Sequence, residues 1–112
     1  MTVPAALAVF DALASPVRLE IYRLLVRHEP TGLVAGEIAE ALAMPSTNLS
    51  FHLKALVQAG LVQATHEGRF IRHRADLARM HAVVAFLAAE CCGGDAERCG
   101  VPVMAATAAR FG

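Results

Sequence analysis

The residues with the clearest capacity for chemistry are three cysteines near the end of the chain, Cys91, Cys92 and Cys99. Two are adjacent, and Gly93 and Gly94 leave the segment between the pair and the third cysteine pliable. Structural zinc takes four ligands and usually a Cys-x2-Cys pair, which adjacent cysteines do not supply. Three thiolates suit a soft, thiophilic ion instead, and trivalent arsenic and antimony take three sulfurs in a pyramid. We therefore predict a metalloid site at these cysteines, for arsenite, As(III), or alternatively Sb(III).

The same cysteines leave two other interpretations open. Their odd number does not favour a structural disulfide framework in a chain expected to stay in a reducing compartment. A disulfide between two of them could still act as a redox switch in place of a metalloid. Cysteines can also be buried and inert. The glycine-rich surroundings, outside the expected core, favour a functional site over inert thiols.

A second group of polar residues lies on one face of a helix predicted over residues 44–61, with Pro45 in its first turn and Gly60 after its last periodic residue. Apolar residues at helical spacing predict a buried stripe of Leu49, Leu53, Leu56 and Val57. The opposite face carries small polar residues, one lysine and one phenylalanine. A purely solvated face more often carries several charges. We interpret this face as one that contacts a flat polar partner, and nucleic acid fits that description.

The charge distribution supports this interpretation, although the net charge of the chain is zero. Residues 46–75 contain four cationic side chains against Glu67 alone, a local balance of +3, so the other residues carry −3. Those four cations are Lys54, Arg69, Arg72 and Arg74. A local basic patch on a neutral body is sufficient to follow phosphates.

Composition limits the class of protein. At 112 residues the chain is long enough for one small domain with a single core. A hydrophobic fraction of 56% with 18% charged residues excludes a disordered chain. No apolar run reaches the roughly 18 residues that a membrane span needs, and the first residues lack the basic region of a signal peptide. We expect a cytoplasmic protein without a membrane partner.

The remaining periodicity predicts the elements that position these two sites. Helices are expected over residues 5–14, 16–28, 36–43 and 77–91 in addition to 44–61, with strands over 61–65 and 69–74. A two-residue turn at Glu67-Gly68 would close a basic hairpin. The predicted class is mainly α with a small β-hairpin wing, a winged helix-turn-helix. The first helix, with Leu7, Phe10 and Leu13 on one side, and the last helix are apolar enough to need cover from a second copy, so we expect dimerisation through both.

The candidate DNA contacts lie on the helix at 44–61 and on the hairpin. Phe51 could touch a thymine methyl group or could be a stray surface aromatic. His52 lies near the core flank of its helix, so a structural role is as plausible as a DNA contact. Lys54 and Arg69 suit phosphates better than bases. The full set is Ser46, Thr47, Asn48, Ser50, Phe51, His52, Lys54, His66, Arg69 and Arg72.

Several stretches of the chain resemble the ArsR/SmtB family of metal- and metalloid-responsive repressors. They are residues 13–19 (Leu-Ala-Ser-Pro-Val-Arg-Leu), 36–42 (Gly-Glu-Ile-Ala-Glu-Ala-Leu), 49–56 (Leu-Ser-Phe-His-Leu-Lys-Ala-Leu), 60–62 (Gly-Leu-Val) and 67–69 (Glu-Gly-Arg). The resemblance covers roughly residues 5–90. It implies a homodimer that binds an inverted repeat in operator DNA and leaves it when an inducer binds.

The resemblance also reduces the number of places in the chain where an inducer-sensing site can lie. The founding arsenic sensors of the family carry Cys-x-Cys before the recognition helix, where this chain has Glu-Ile-Ala-Glu at residues 37–40. The family's zinc sensors carry Asp-x-His and His-x-x-Glu along the last helix, but here Asp76 is followed at that spacing by Ala78, and His81 by Val84. The three late cysteines are similar to the C-terminal site of a subgroup of arsenite-responsive repressors.

Two domain-level expectations follow. Residues 1–92 should form the DNA-binding and dimerisation domain, and residues 93–112 a flexible tail that contributes one thiol. An enzyme is not expected, because the chain has neither a phosphate-cradling glycine loop nor the alternation of strands and helices that forms a catalytic cleft. The function predicted is a transcriptional repressor released from DNA by As(III) or Sb(III), with a thiol redox-sensing repressor of the same fold as the alternative.

Overall fold

The structure is a computed structural model that describes residues 1–94, so residues 95–112, with Cys99 and most of the predicted tail, lie outside the described residues. In chain order the elements are α1 (Val3–Leu13), α2 (Pro16–Arg27), β1 (Leu33–Val34), α3 (Ala35–Ala41), α4 (Ser46–Gln58), β2 (Val62–Glu67), β3 (Phe70–Ala75), α5 (Leu77–Ala88) and a 3-10 turn at Cys91–Gly94. This is a winged helix-turn-helix, which confirms the predicted fold class. Within the described part, no helix is long and apolar enough to cross a membrane.

Helix α2 lies at the centre of the domain and begins where the sequence predicts. The Ser15 side chain accepts the backbone N–H of Arg18 at 3.4 Å, and Pro16 occupies the first helical position. Ile21 and Leu25 are completely buried. Because α2 packs against α1, α4 and β3, its apolar stripe organises the core on which the recognition elements rest.

Helix α1 packs against the core through small side chains, and not through the apolar side that the sequence predicts to need cover from a second copy. Its buried residues are the smaller Ala6, Val9 and Ala12, which let the neighbouring helices approach closely. Leu7 and Phe10 are 59% and 40% exposed. These two larger side chains therefore remain largely outside the core of their own chain.

A tight turn joins α3 to α4 and makes the helix-turn-helix. The Glu37 carboxylate accepts the backbone N–H of Val34 at 2.9 Å, which compensates for a first residue that cannot cap through its side chain. In the turn, Ala43 adopts a positive φ of 51°, and the N–H of Met44 donates to the carbonyl of Ala39 at 3.0 Å. This is the hydrogen bond of a Schellman end, with alanine where glycine is usual.

Helix α4 starts later than predicted and ends as predicted. It begins at Ser46, not residue 44, because Pro45 is extended (ψ 138°) and occupies the N-cap position. Gly60 follows the helix with φ 81°, and its N–H and that of Leu61 donate to the carbonyls of Val57 and Leu56 at 3.0 and 3.1 Å. Three of the four residues of the predicted stripe, Leu49, Leu53 and Leu56, are buried. The fourth, Val57, is 37% exposed, so that part of the prediction is wrong.

The wing is a three-stranded antiparallel sheet in the order β1-β3-β2. His73 of β3 pairs with Leu33 of β1 on one side and with Ala64 of β2 on the other, so β3 is the central strand. Glu67 pairs with Phe70, which makes Gly68-Arg69 the two turn residues. The predicted turn at Glu67-Gly68 is therefore wrong by one residue: the positive φ of 64° at Gly68 comes at the first turn position.

Helix α5 is capped by Asp76, whose carboxylate accepts the N–H of Arg79 at 3.0 Å, as predicted. It buries Val83 and ends at Ala88, short of the predicted residue 91. The chain then turns into the 3-10 segment, where Cys92 has a left-handed backbone (φ 54°, ψ 34°). The two described cysteines therefore lie just beyond the last helix and not within it.

Candidate nucleic-acid interface and thiol pair

The outer face of α4 is the largest cluster of predicted contact residues that the structure brings together. His52 is half-buried, and the other predicted residues on this helix are exposed. The exposed residues are Ser46, Thr47, Asn48, Ser50, Phe51 and Lys54. The Ser50 hydroxyl donates to the carbonyl of Ser46 at 3.1 Å, so its lone pairs face outward as acceptors. The face offers small polar groups, one cation and one aromatic ring to a partner.

Phe51 and His52 are held by a residue that sequence reasoning missed. Arg18 of α2 donates from Nε to Nδ1 of His52 at 3.1 Å, and its guanidinium carbon lies 5.5 Å from the centre of the Phe51 ring. The two rings are themselves 5.6 Å apart in an edge-on arrangement. The hydrogen bond between Arg18 and His52 joins residues 34 positions apart. The one signal for it in the sequence is an arginine in the first turn of a helix, where a cation is disfavoured.

The wing supplies the remaining predicted contacts, and they are not equivalent. His66 and Arg69 are exposed, and Arg69 lies in the turn at the tip. Arg72 instead donates from Nε to both carboxylate oxygens of Glu67, at 2.9 and 3.0 Å. Hydrogen bonding to Glu67 raises the pKa of Arg72 above its ordinary value. Because its charge is already paired, Arg72 is less suited to a phosphate than Arg69.

A groove of about 590 Å³ runs between α4 and the wing. Its floor is apolar, from Leu53, Val57 and Ile71, and basic or imidazole side chains line it as well, from Lys54, His66 and Arg69. No carboxylate is among its lining residues. Two of the four cations predicted from the sequence, Lys54 and Arg69, thus lie beside a concave surface whose described lining carries no opposing charge, as the backbone of a nucleic acid requires.

His73 lines this groove from the central strand and is only 6% exposed. Its Nδ1 has no hydrogen-bond partner among the described residues. Burial lowers the pKa of His73 below its ordinary value of 6.5, and a hydrogen bond with the Ile71 backbone acts in the opposite direction. The neutral imidazole is therefore the form that the folded wing favours.

This burial predicts an acid-sensitive fold. Below about pH 6.5 the unfolded chain takes up a proton at His73 that the folded chain resists, so the free energy of unfolding falls with pH, by at most about 1.4 kcal/mol per pH unit. Above that pH both states are neutral and the contribution disappears. Urea unfolding between pH 7.5 and 5.5 measures the free energy of unfolding of the wild type and of His73→Gln. Subtracting one from the other at each pH removes the contributions of the titrating groups that both proteins share. Equal slopes for the wild type and His73→Gln would contradict the prediction.

The described cysteines form a close pair. The Sγ atoms of Cys91 and Cys92 are 3.7 Å apart, far beyond the roughly 2.05 Å of a disulfide bond. Two sulfurs that each lie about 2.3 Å from one metal ion can be no more than about 4.6 Å apart. The observed separation satisfies that limit, so the pair can contribute two ligands to a single ion. Cys99, the third predicted ligand, lies outside the described residues.

Comparisons with known proteins agree with this geometry. Residues 4–63 match a sequence family described as a helix-turn-helix domain. A homodimeric winged helix-turn-helix DNA-binding domain from Mycobacterium bovis, described as a possible ArsR-family regulator, is 36% identical, with a TM-score of 0.62 over 78% of this chain and 81% of that one. The structure of AntR, an antimony-specific transcriptional repressor, is 26% identical, with a TM-score of 0.58 over 72% of each chain.

A curated relative from Streptomyces lividans is described as a probable mercury resistance operon repressor. It is 34% identical over 64 residues, which are 57% of this chain. The match spans about half the length of that relative, 49%. The helix-turn-helix match covers more than half of the chain, and the Mycobacterium bovis domain is 36% identical with 81% of its length covered, so the protein belongs to the ArsR family of winged-helix transcription regulators. The family and the fold are those of DNA-binding transcription regulators.

Proposed function

We propose that this protein is a homodimeric transcriptional repressor that binds operator DNA and releases it when As(III) or Sb(III) binds Cys91, Cys92 and Cys99. The observation that carries the proposal is the presence, in one small chain, of a basic helix-and-wing surface and a pair of thiols 3.7 Å apart beyond the last helix. The first reads DNA and the second senses the inducer. The ArsR-family fold is the scaffold that connects them.

The DNA-binding step rests on the shape and charge of the helix-and-wing surface. Helix α4 enters the major groove with its exposed polar face towards the bases. Lys54 and Arg69, beside a groove without carboxylates, contact the phosphates on either side. Arg72 remains paired with Glu67 and stabilises the wing by linking β3 to β2.

The dimer rests on two exposed apolar stripes. Val3, Leu7 and Phe10 are exposed on α1 at helical spacing, and Val84 and Leu87 are exposed on α5. These two helices pack against each other, so a second copy can cover both in one two-fold interface. The Mycobacterium bovis domain is described as homodimeric. A two-fold dimer places its recognition helices on half-sites about 34–36 Å apart, which matches an inverted repeat.

The sensing step rests on the chemistry of the thiols. Two sulfurs are close enough to share one ion, and Cys99 follows the pair by only seven residues. A soft ion with three sulfur ligands draws the segment that carries Cys99 towards the end of α5. Because α5 belongs to the proposed dimer interface, this contact changes the angle between the subunits and the spacing of the two α4 helices. A coupling free energy of roughly 1–3 kcal/mol is typical of such switches.

The descriptions of two relatives favour a soft inducer. One relative is described as an antimony-specific repressor and another as a probable mercury resistance operon repressor. Antimony and mercury are both thiophilic, so thiolate ligands suit them. These descriptions support a thiophilic inducer for this chain, and a set of three thiolates favours As(III) or Sb(III) within that class.

The test is a titration of As(III) into the wild-type protein bound to a fluorescent duplex that the protein selects from a randomised library. Fluorescence anisotropy should fall as the complex dissociates, and ultraviolet absorption from sulfur-to-arsenic bonds should rise at the same As(III) concentrations. Protein alkylated with iodoacetamide should bind the duplex but not respond. Release by peroxide, reversed by dithiothreitol, without release by As(III) would establish the redox alternative instead. Failure to select any duplex would refute DNA binding.

A further inference from the structure

Phe51 is the most unusual residue on the outer face of α4. It is 66% exposed, although a phenyl ring gains by leaving water. It also lies in the middle of the surface that is proposed to face the bases. An exposed aromatic ring that is free to move would lose conformational entropy on binding, but this ring is not free.

Arg18 and His52 fix the position of the Phe51 ring. The guanidinium of Arg18 lies over one side of it, 5.5 Å from its centre, and the His52 ring meets it edge-on. The Nε of Arg18 is held in turn by Nδ1 of His52 at 3.1 Å. The three side chains therefore form one cluster, which we call the Arg18–Phe51–His52 cluster, and it leaves most of the Phe51 ring exposed.

The local structure of α2 gives no reason for an arginine at position 18. Ser15 caps the helix and Pro16 is its first residue, so Arg18 lies in the first turn, at the positive end of the helix dipole, where a cation is disfavoured. The Arg18 side chain contacts His52 and Phe51, which both belong to α4. Arg18 is thus explained by what it does to the recognition helix.

We infer that Arg18 is a positioning residue for sequence recognition, which holds Phe51 so that its ring contacts the 5-methyl group of a thymine in the major groove. Phenylalanine is one of the side chains that make apolar contacts with this methyl group. The ring is ordered before DNA binds, so the contact costs little additional ordering. This inference rests on the proposed DNA-binding function and assigns one base preference within it.

The experiment uses the duplex that the wild-type full chain selects from a randomised library, with each thymine replaced in turn by deoxyuridine. This replacement removes only the methyl group. At the contacted position the wild type should bind about three- to five-fold more weakly, as expected for loss of one buried methyl group. Phe51→Ala should bind thymine and uracil duplexes equally. Arg18→Gln should lose most of the discrimination although Phe51 is intact.

Two controls separate positioning from simpler roles. Arg23→Gln removes a cation from an exposed site on the same helix and should keep the wild-type thymine-to-uracil ratio. Arg18→Lys keeps the charge but not the planar group, and should behave as Arg18→Gln; it also serves if Arg18→Gln folds poorly in thermal denaturation. If Arg18 only contacted a phosphate, its loss would weaken all duplexes equally, lower the salt dependence by about two charges, one for each subunit of the dimer, and preserve the thymine-to-uracil ratio. That result, or the absence of any methyl-sensitive thymine, overturns this inference, whereas failure to select DNA at all overturns the proposed function.

Discussion

Replacing Cys91, Cys92 or Cys99 with serine is expected to raise the As(III) concentration needed to release DNA by about 100-fold or more. Loss of a residue that merely orients a metal ligand already costs about 10–100-fold in affinity, and loss of one of three direct ligands costs at least as much. The residues that the structure describes contain no cysteine besides Cys91 and Cys92, so no other described thiol can replace either of them. Anisotropy of the bound duplex during an As(III) titration measures the effect.

The cysteine variants carry their own control, since their affinity for DNA without As(III) should equal that of the wild type. All three positions lie away from α4 and the wing in sequence, and serine changes each side chain by one atom. Glu90→Gln is the matched neighbour: it alters an exposed residue beside the pair and should respond to As(III) as the wild type does. Normal release by Cys99→Ser would show that the third ligand is not Cys99, and normal release by all three variants would remove the thiol site altogether.

The left-handed backbone at Cys92 sharpens this expectation. A non-glycine residue at φ 54° is uncommon and strained, and here it is followed by two glycines that also have positive φ. The backbone therefore departs from the helical conformation of α5 at residues 92–94. Strain at a residue that the chemistry also requires is typical of functional positions, which agrees with a role for Cys92 as a ligand.

The features of the fold that could be predicted are those that local chemistry determines. Ser15 with Pro16, Asp76 and Gly60 each fix a helix end through hydrogen bonds within a few residues, and all three ends are confirmed. The leucine stripe of α4 needs only helical spacing. By contrast, a shift of one residue in the hairpin turn depends on how Glu67 pairs with Phe70, which composition does not determine.

The features that could not be predicted depend on residues far apart in sequence. Arg18 meets His52 across 34 positions, and no periodic pattern connects an arginine of one helix with the rings of another. On α1 the sequence predicts an apolar face that needs cover from a second copy, but it does not predict which residues pack on the core of their own chain. The structure buries Ala6 and Ala12 there, since small residues let helices approach closely, and Leu7 and Phe10 stay exposed.

That exposed surface gives the second large prediction: Leu7→Asp and Leu87→Asp should each convert the dimer to a monomer and weaken DNA binding by about 100-fold or more. Both side chains are largely exposed in the single chain, at 59% and 64%, so the change should leave the monomer folded. Burying a leucine contributes about 1.5–3 kcal/mol, and a two-fold interface loses it twice, about 3–6 kcal/mol. The monomer also loses the avidity of two linked half-sites, which is typically 10²–10⁴.

Sedimentation equilibrium measures the mass, and anisotropy on the selected duplex measures the DNA affinity of the same samples. Leu19→Asp is the matched control, because Leu19 is an exposed leucine of α2 outside the two stripes; it should remain dimeric and bind normally.

A duplex with a single half-site distinguishes loss of avidity from loss of direct DNA contacts. The wild type and Leu7→Asp should differ little in affinity for this duplex, since one recognition helix and one wing suffice to bind it. A monomeric variant that still binds the full repeat as tightly as the wild type would show that the inverted repeat is not read by a dimer. The two stripes would then serve another contact, and the link from Cys91 and Cys92 through the subunit interface to the recognition helix would have no basis.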